Sequence, residues 1–260
     1  MSSIIELKNI SKKIRKIILD CSYKAGSNAA HIGGALSMTD LITSIFYLEK
    51  NKKNFEFVLS KGHACLALYG ALNYFGKISK KKLNTFEKDK SDLPGHPVKN
   101  KSLSINFSTG SLGIGFSIAN GVALALKKKL SKKKVYVVLG DGECNEGIIW
   151  EAAMFASKYK LNNIIALIDK NNFQQTGNTK EIMDNLNLSK KWLAFGWDTI
   201  IIDGHDHKKI IKAINKKTKK PKMIVCNTIK GKGVKFFEND NAWHHKILTK
   251  DQYKEALDQL

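Results

Sequence analysis

Short apolar segments alternate with longer segments of helical periodicity along most of this chain, and that alternation restricts the fold to one class. Apolar runs of strand length occupy residues 55–58, 135–139, 164–168, 197–202 and 223–226. Between them, apolar residues recur every three or four positions, as at 111–130 and 146–159. The pattern predicts an α/β fold with a parallel sheet and helices on both faces. Ligands of such sheets bind beyond the carboxyl ends of the strands.

Composition predicts one folded domain over residues 1–260. The chain is 43% apolar with only 3 prolines, so it can bury one large core. The amino-terminal segment is typical of an amphipathic helix and not of a signal peptide, because its apolar residues have helical spacing: Ile4, Ile5, Leu7, Ile10, Ile14, Ile17 and Ile18. No stretch approaches the roughly 20 consecutive apolar residues of a membrane span. With its 4 widely spaced cysteines interpreted as reduced thiols, we expect a soluble, cytoplasmic protein with no membrane partner.

The net charge of +21 raises the alternative of nucleic-acid binding. Nearly all of this charge is lysine, and Arg15 is the only arginine. Recognition of bases and phosphates favours the planar, forked guanidinium over the ammonium group. The lysine clusters, such as those at 127–129 and 216–220, flank predicted helices and strands. We therefore interpret them as a solvated surface and expect no nucleic-acid partner.

Polar residues directly follow two of the predicted strands. Gly140-Asp141-Gly142 closes the run at 135–139, and Asn171 follows the next run thirty positions later. Mg²⁺ prefers oxygen ligands and is commonly held by one or two protein groups together with substrate phosphates. The glycines allow the backbone to approach a phosphate, and a helix that begins near Glu146 would direct its amide groups at the anion. The pair predicts a site for Mg²⁺ and a diphosphate.

The motifs around this pair resemble the thiamine-diphosphate motif of the amino-terminal half of transketolases. That motif is Gly140-Asp141-Gly142-Glu143-Cys144-Asn145-Glu146-Gly147 followed by Asp169-Lys170-Asn171-Asn172. Other blocks resemble the family in the same order: His31-Ile32-Gly33-Gly34, Leu59-Ser60-Lys61-Gly62-His63, Pro94-Gly95-His96-Pro97, Ser108-Thr109-Gly110-Ser111-Leu112-Gly113 and Trp243-His244. They extend from about residue 25 to 250, nearly the whole chain. The resemblance implies the thiamine-diphosphate-binding fold, of the type that holds the pyrophosphate.

The resemblance also implies a role for each matching residue. Contacts to thiamine diphosphate are expected from His63, Gly110, Ser111, Leu112, Gly142, Glu143, Asn171, Lys230 and His244. The metal, Mg²⁺ or alternatively Ca²⁺ or Mn²⁺, would be held by Asp141, the amide oxygen of Asn171 and the backbone carbonyl of Phe173. Lys230 has the alternative interpretation of one more solvated lysine.

Three histidines are expected to be catalytic by the same resemblance, namely His31, His96 and His244. A ketose donor loses a hydroxyl proton as its carbon–carbon bond breaks, and the aldehyde acceptor gains one, so bases with pKa values near neutrality are useful. The thiazolium ring carries the difficult carbon chemistry, and the protein positions groups and transfers protons. His205, His207 and His245 match no functional family position, and we interpret them as surface or structural residues.

The resemblance covers only the amino-terminal part of a transketolase. The glutamate that activates the cofactor belongs to the later, pyrimidine-binding domain, and residues 1–260 contain no such domain. Glu146 resembles the glutamate that communicates with it across the subunit interface. We therefore expect one subunit of a split transketolase, active only with a carboxy-terminal subunit, in an α2β2 assembly. It would transfer a two-carbon ketol unit between sugar phosphates, as in the pentose phosphate pathway.

Several alternatives stay open. A 1-deoxyxylulose-5-phosphate synthase shares the cofactor and the Asp/Asn pair, but its sequence after Gly-Asp-Gly differs from residues 143–147. Ile32 and His245 depart from common family residues, which leaves the acceptor, and even the donor ketose, undecided. A non-catalytic binding remnant would have little reason to retain every cofactor block. A dinucleotide-binding protein is not favoured, because no G-x-G-x-x-G motif opens a helix after a predicted strand.

Overall fold

Five parallel strands form one sheet, and helices cover both of its faces. The computed structural model describes residues 2–51 and 54–260. The strands described are β1 (Phe55–Leu59), β2 (Lys134–Gly140), β3 (Ile164–Lys170), β4 (Asp198–Asp203) and β5 (Lys222–Asn227). They lie side by side in the order β1-β2-β3-β5-β4, and each of the four pairings is parallel. The predicted α/β class is confirmed.

Helices connect the strands, and two of them lie where the periodic segments of the sequence predict them. They are α1 (Ser2–Ala25), α2 (Ile32–Ser37), α3 (Thr39–Glu49), α4 (Cys65–Tyr74), α5 (Lys80–Leu83), α6 (Ile114–Lys128), α7 (Gly147–Lys158), α8 (Thr179–Met183), α9 (Leu188–Ala194), α10 (His207–Asn215) and α11 (Lys250–Asp258). The segments predicted at 111–130 and 146–159 are α6 and α7. Among the described residues, no helix has both the length and the apolar character needed to cross a membrane.

The sheet separates two apolar cores because successive side chains of a strand point to opposite faces. Along β2, Val135, Val137 and Leu139 pack in one core with α6, α7 and α9, whereas Tyr136 and Val138 pack in the other with α1 to α4 and α10. The central strands are buried on both sides, which is why they appear in the sequence as continuous apolar runs instead of alternating ones.

Parallel strands bring their carboxyl ends to one edge of the sheet. The segments that follow β1, β2, β3 and β5 begin there with Ser60, Asp141, Asn171 and Thr228, respectively. Gly140 pairs with Asp169 across β2 and β3, so the ends of these two strands are level. This edge therefore gathers the polar residues that follow the strands.

Candidate active site

A cleft of about 520 Å³ lies at this edge and contains nearly all of the residues predicted for the site. Its lining includes His31, His63, His96, Gly110, Leu112, Asp141, Gly142, Glu143, Glu146, Asn171, Phe173, Lys230 and His244. Ser111 is not part of the lining; it is exposed in the loop between Gly110 and Leu112. The fold thus brings residues from positions 31 to 244 into one cavity.

Asp141 is a buried carboxylate held by two backbone amides. Its Oδ2 atom accepts a hydrogen bond from Asn172 N–H at 2.7 Å, and its Oδ1 atom accepts one from Gly142 N–H at 3.0 Å. Burial, and then the negative charge of Asp169, raises the pKa of Asp141 to about 6. Such a carboxylate is short of positive charge, and a bound cation would relieve this. The donor set therefore fits a divalent metal.

The amide of Asn171 can be oriented in only one way. Its Nδ2 group donates to the carboxylate of Asp169 and to Ser37 Oγ, both at 3.2 Å, and its Oδ1 atom accepts from Phe173 N–H at 3.1 Å. A carboxylate can only accept and a backbone N–H can only donate, so these two neighbours determine which atom is the oxygen. The amide therefore presents an oxygen, the ligand type that Mg²⁺ prefers.

Asp169 and Lys61 form a buried ion pair that the sequence analysis did not select. Lys61 Nζ lies 2.6 Å from Asp169 Oδ2, and the two side chains are 2% and 0% exposed. Ser37 Oγ also donates to Oδ2, and Thr228 Oγ1 donates to Oδ1, each at 2.5 Å. A buried charge of this kind is tolerated when it is paired and fully hydrogen-bonded. The pair lies directly behind Asn171. Asp169 lies two positions before Asn171, at the end of an apolar strand. A charged residue at this position was the one sequence signal that could have indicated the ion pair.

Glu143 uses its side chain to join three segments of the site. Its Oε1 atom accepts from Ser60 Oγ at 2.5 Å and from Gly113 N–H at 2.8 Å, and its Oε2 atom accepts from Gly140 N–H at 3.0 Å. Burial raises the pKa of this carboxyl group. The side chain is thus structural, which leaves the backbone amide of Glu143 as the group that could contact a ligand.

Lys230 is buried, so its interpretation as a solvated lysine is wrong. It is 1% exposed, and its Nζ atom donates to Asn241 Oδ1 at 2.5 Å and to His244 Nδ1 at 3.1 Å. Burial, and then the charge of Lys61, lowers the pKa of Lys230 to about 8. Because an ammonium group can only donate, the Nδ1 atom of His244 accepts and its Nε2 atom carries the proton.

Four histidine rings of the cleft cluster together. The ring centroid of His31 lies 5.6 Å from those of His63 and His96 and 5.3 Å from that of His244. His245, which the sequence analysis set aside, lies closer still at 4.4 Å, although it is exposed. Histidines that are far apart in the sequence are therefore neighbours in the fold.

The half-buried histidines of this cluster, His31, His63 and His244, are neutral at pH 7. Burial, and then His245, lowers the pKa of His31 to about 3, and burial, followed by Lys230, lowers that of His244 to about 3. The pKa of His63 is lowered by burial and by Lys61. These values lie below the near-neutral range that the sequence analysis expected, because the cleft is both buried and lined by two lysines.

Two further polar groups border the cleft. Glu146 is exposed at the N-terminal cap of α7. The Nε2 atom of Gln174 is buried and has no hydrogen-bond partner among the described residues. A buried donor of this kind costs free energy unless a ligand accepts its hydrogen bond. The cleft thus combines a metal-type oxygen pair with donors suited to an anion.

Known proteins match this chain over nearly its whole length. Residues 7–260 match the family described as "Transketolase, thiamine diphosphate binding domain". The chain belongs to the transketolase family. Its resemblance to the amino-terminal part of transketolases is therefore confirmed. This family consists of thiamine-diphosphate-dependent transferases.

Similar proteins include both short subunits and full-length transketolases. The chain is 39% identical to an apulose-4-phosphate transketolase subunit of Phocaeicola vulgatus, covering 95% of this chain and 91% of that protein. It is 38% identical to the 6-deoxy-6-sulfo-D-fructose transketolase subunit SqwG of Clostridium sp., covering 98% of this chain and 96% of that protein. The transketolase structure from Campylobacter jejuni superposes with a TM-score of 0.89 at 31% identity over 97% of this chain. The chain spans only 42% of that protein.

Proposed function

We propose that this chain is the thiamine-diphosphate-binding subunit of a split transketolase, and that the cleft holds the diphosphate half of the cofactor. The observation that carries the proposal is the convergence of Asp141, Asn171, Lys230 and four histidines in one cavity. Relatives that are named as subunits, and that match this chain over nearly their whole length, support the division into two polypeptides.

The residues of the cleft fit the cofactor and a divalent metal. Asp141 and Asn171 would supply side-chain oxygens to the metal, with the backbone carbonyl of Phe173 as a third ligand. Asp141 is the anionic member; burial, and then the charge of Asp169, raises its pKa, and a bound cation would oppose both effects. Lys230 would neutralise and bind the diphosphate oxygens, and the buried Nε2 group of Gln174 would donate a hydrogen bond to them. Mg²⁺ is the expected metal, with Ca²⁺ or Mn²⁺ as alternatives.

His63 and the loop backbones would complete the cofactor site. Gly142 and Glu143 would donate backbone amides to the diphosphate, while the Glu143 side chain keeps its own loop in place. The segment 110–112 would pass along the middle of the cofactor. Gly62 keeps this segment close: a Cβ at residue 62 would lie 2.9 Å from Gly110 N.

Proton transfer is the proposed task of His31, His96 and His244. Bound thiamine diphosphate supplies the carbon that takes up the ketol unit and the electron pair of the broken bond. His31 is neutral, so it can accept the proton that a donor hydroxyl loses and return it to the acceptor aldehyde. His244 is also neutral, but Lys230 occupies its Nδ1 atom and its Nε2 atom carries the proton, so it would donate that proton toward the oxygen of the acceptor aldehyde. An anionic diphosphate and a substrate phosphate nearby would raise the pKa of both rings toward neutrality.

A second polypeptide is part of the proposal. It would contribute the pyrimidine-binding domain and the glutamate that activates the cofactor, and exposed Glu146 would face it. An α2β2 assembly in the cytoplasm is the arrangement that we expect. The donor would be a ketose with an anionic end group, since relatives are named for apulose 4-phosphate and for a sulfo-sugar. Ketose phosphates of the pentose phosphate pathway belong to the same chemical class.

Mixing the two subunits tests the proposal. The purified chain alone should show no ketol transfer, and activity should appear when the candidate partner, thiamine diphosphate and Mg²⁺ are added. The donors to compare are xylulose 5-phosphate, apulose 4-phosphate and 6-deoxy-6-sulfofructose. Ketol transfer by residues 1–260 without the partner would refute the split enzyme. A complete mixture that transfers a ketol unit from none of these donors would favour the binding remnant.

A further inference from the structure

The loop that carries Lys230 is held from both sides by residues outside the cleft. On one side, Ile229 N–H donates to the Nε2 atom of His205 at 2.9 Å. On the other, the Nε group of Arg15 donates to the carbonyl of Lys232 at 2.9 Å. Neither His205 nor Arg15 lines the cleft. Both contacts are to main-chain atoms, so they restrain the path of the loop whatever its side chains are.

Asp40 connects these two restraints. In the first turn of α3, its Oδ1 atom accepts from Arg15 Nη1 at 3.1 Å, and its Oδ2 atom accepts from Arg15 Nη2 at 2.6 Å. Oδ2 also lies 2.8 Å from the Nδ1 atom of His205. The residue is 5% exposed. Burial by itself would raise the pKa of Asp40, but the Arg15 charge and the His205 hydrogen bond together hold it below its usual value. Asp40 is therefore ionised and shared by both restraints.

The two neighbours of His205 determine its tautomer. Ile229 N–H can only donate, so Nε2 must accept; the ionised carboxylate of Asp40 can only accept, so Nδ1 must carry the proton. The ring therefore connects the carboxylate to the backbone of the loop through two hydrogen bonds in series. A charge-assisted hydrogen bond and a bidentate guanidinium pair are among the stronger and more directional polar contacts in proteins.

We infer that His205, whose tautomer Asp40 fixes, is the positioning residue that holds the loop of Lys230 at the cleft. The inference rests on the proposed function, in which Lys230 binds the diphosphate of the cofactor. Lys230 has no acidic partner within hydrogen-bond distance among the described residues; its contacts are an amide oxygen, a carbonyl and the His244 ring. The backbone of its loop must therefore supply much of the precision with which its ammonium group is placed.

Two substitutions of His205 separate its two hydrogen bonds. His205→Gln can place an oxygen where Nε2 accepts from Ile229, whereas His205→Asn can place a donor toward Asp40 but leaves Ile229 N–H without an acceptor. His207→Asn is the control: His207 is buried in the same cluster, contacts Ser11 and Ser44, and has no hydrogen bond to residues 229–232 in the described structure. All three variants alter the same polar cluster, but only His205→Asn removes the hydrogen-bond acceptor of Ile229 N–H.

Hydrogen exchange of the full chain measures the restraint directly. With His205→Asn, amides of residues 229–232 should exchange roughly tenfold faster than in the unmodified chain, which is the usual effect of leaving a buried donor unpaired. With His205→Gln and His207→Asn they should stay within about threefold. Equal exchange in the two His205 variants would overturn the inference.

The assembled enzyme supplies a second, functional measurement. The KM for thiamine diphosphate should rise roughly tenfold with His205→Asn, with kcat within about twofold, and should stay near normal with His205→Gln and His207→Asn. Faster loop exchange with an unchanged KM would show that the restraint does not position Lys230, and would overturn the inference. If the unmodified assembly does not bind the cofactor, the proposed function fails. The difference in hydrogen exchange between His205→Asn and His205→Gln still decides whether His205 holds the loop.

Discussion

Replacement of Asp169 by asparagine should destabilise the chain strongly, because it leaves the buried charge of Lys61 without its partner. The two charged groups are 2.6 Å apart, and neither side chain is more than 2% exposed. Removing one member of such a pair typically costs about 3–5 kcal/mol of folding free energy. Ser37 and Thr228 donate to different oxygens of Asp169, so only one of the two hydroxyl groups can still donate to the single amide oxygen of asparagine, and neither can neutralise Lys61. We therefore expect a loss of about 3 kcal/mol or more.

Urea unfolding of four chains measures this cost: the unmodified chain, Asp169→Asn, Lys61→Met and the double variant. Each single variant leaves one unpaired buried charge, whereas the double variant leaves none. The double variant should therefore be more stable than the sum of the single losses implies, by about 2 kcal/mol or more. Midpoints should move without a change in the slope with urea. A loss below about 1 kcal/mol with Asp169→Asn, or losses that simply add, would refute the interpretation.

Other consequences concern the cleft itself. Asp141→Ala removes the only anionic candidate ligand and should lower Mg²⁺-dependent activity of the mixed subunits by about 100-fold or more, since loss of outer partners alone costs roughly 10–100-fold in metal sites; full activity would contradict the metal assignment. Because the pKa of Asp141 is about 6 and the metal needs the ionised form, Mg²⁺ affinity should be constant above this pH and fall by roughly tenfold per pH unit below it. Calorimetric titration with Mg²⁺ measures this dependence, and an affinity that stays constant below pH 6 would contradict it. Lys230→Met should raise the KM for thiamine diphosphate by about 10- to 100-fold, and a change under about twofold would exclude the diphosphate contact.

The fold could be predicted from the sequence because its signals are local. Runs such as 135–139 and 164–168 are apolar throughout, since helices cover both sides of the strands that they form. The segments between them carry the 3.6-residue period of helices packed on one face. These patterns predicted the parallel sheet, and the parallel sheet implied that Asp141 and Asn171 would share one edge.

The supporting groups of the site could not be predicted in this way. Lys61 belonged to a recognised block, yet nothing in its neighbours showed that it pairs with Asp169, 108 positions away. His205 was interpreted as a surface or structural residue, and its contact with residue 229 depends on how the loops after β4 and β5 pack together. In a chain with 44 basic residues, composition does not distinguish a buried lysine from a solvated one. Burial is a property of the packed fold.

The sequence by itself determined the class of the fold, the family and the residues that come together at the ends of the strands. Those features follow from periodicity and from motifs that are contiguous in the chain. Only the tertiary structure decided that Asp169 orients Asn171, that Glu143 is structural, and that His205 and Arg15 restrain the loop of Lys230. Each of these depends on a hydrogen bond between segments far apart in the chain, and the strength of such a bond is set by the burial that folding creates.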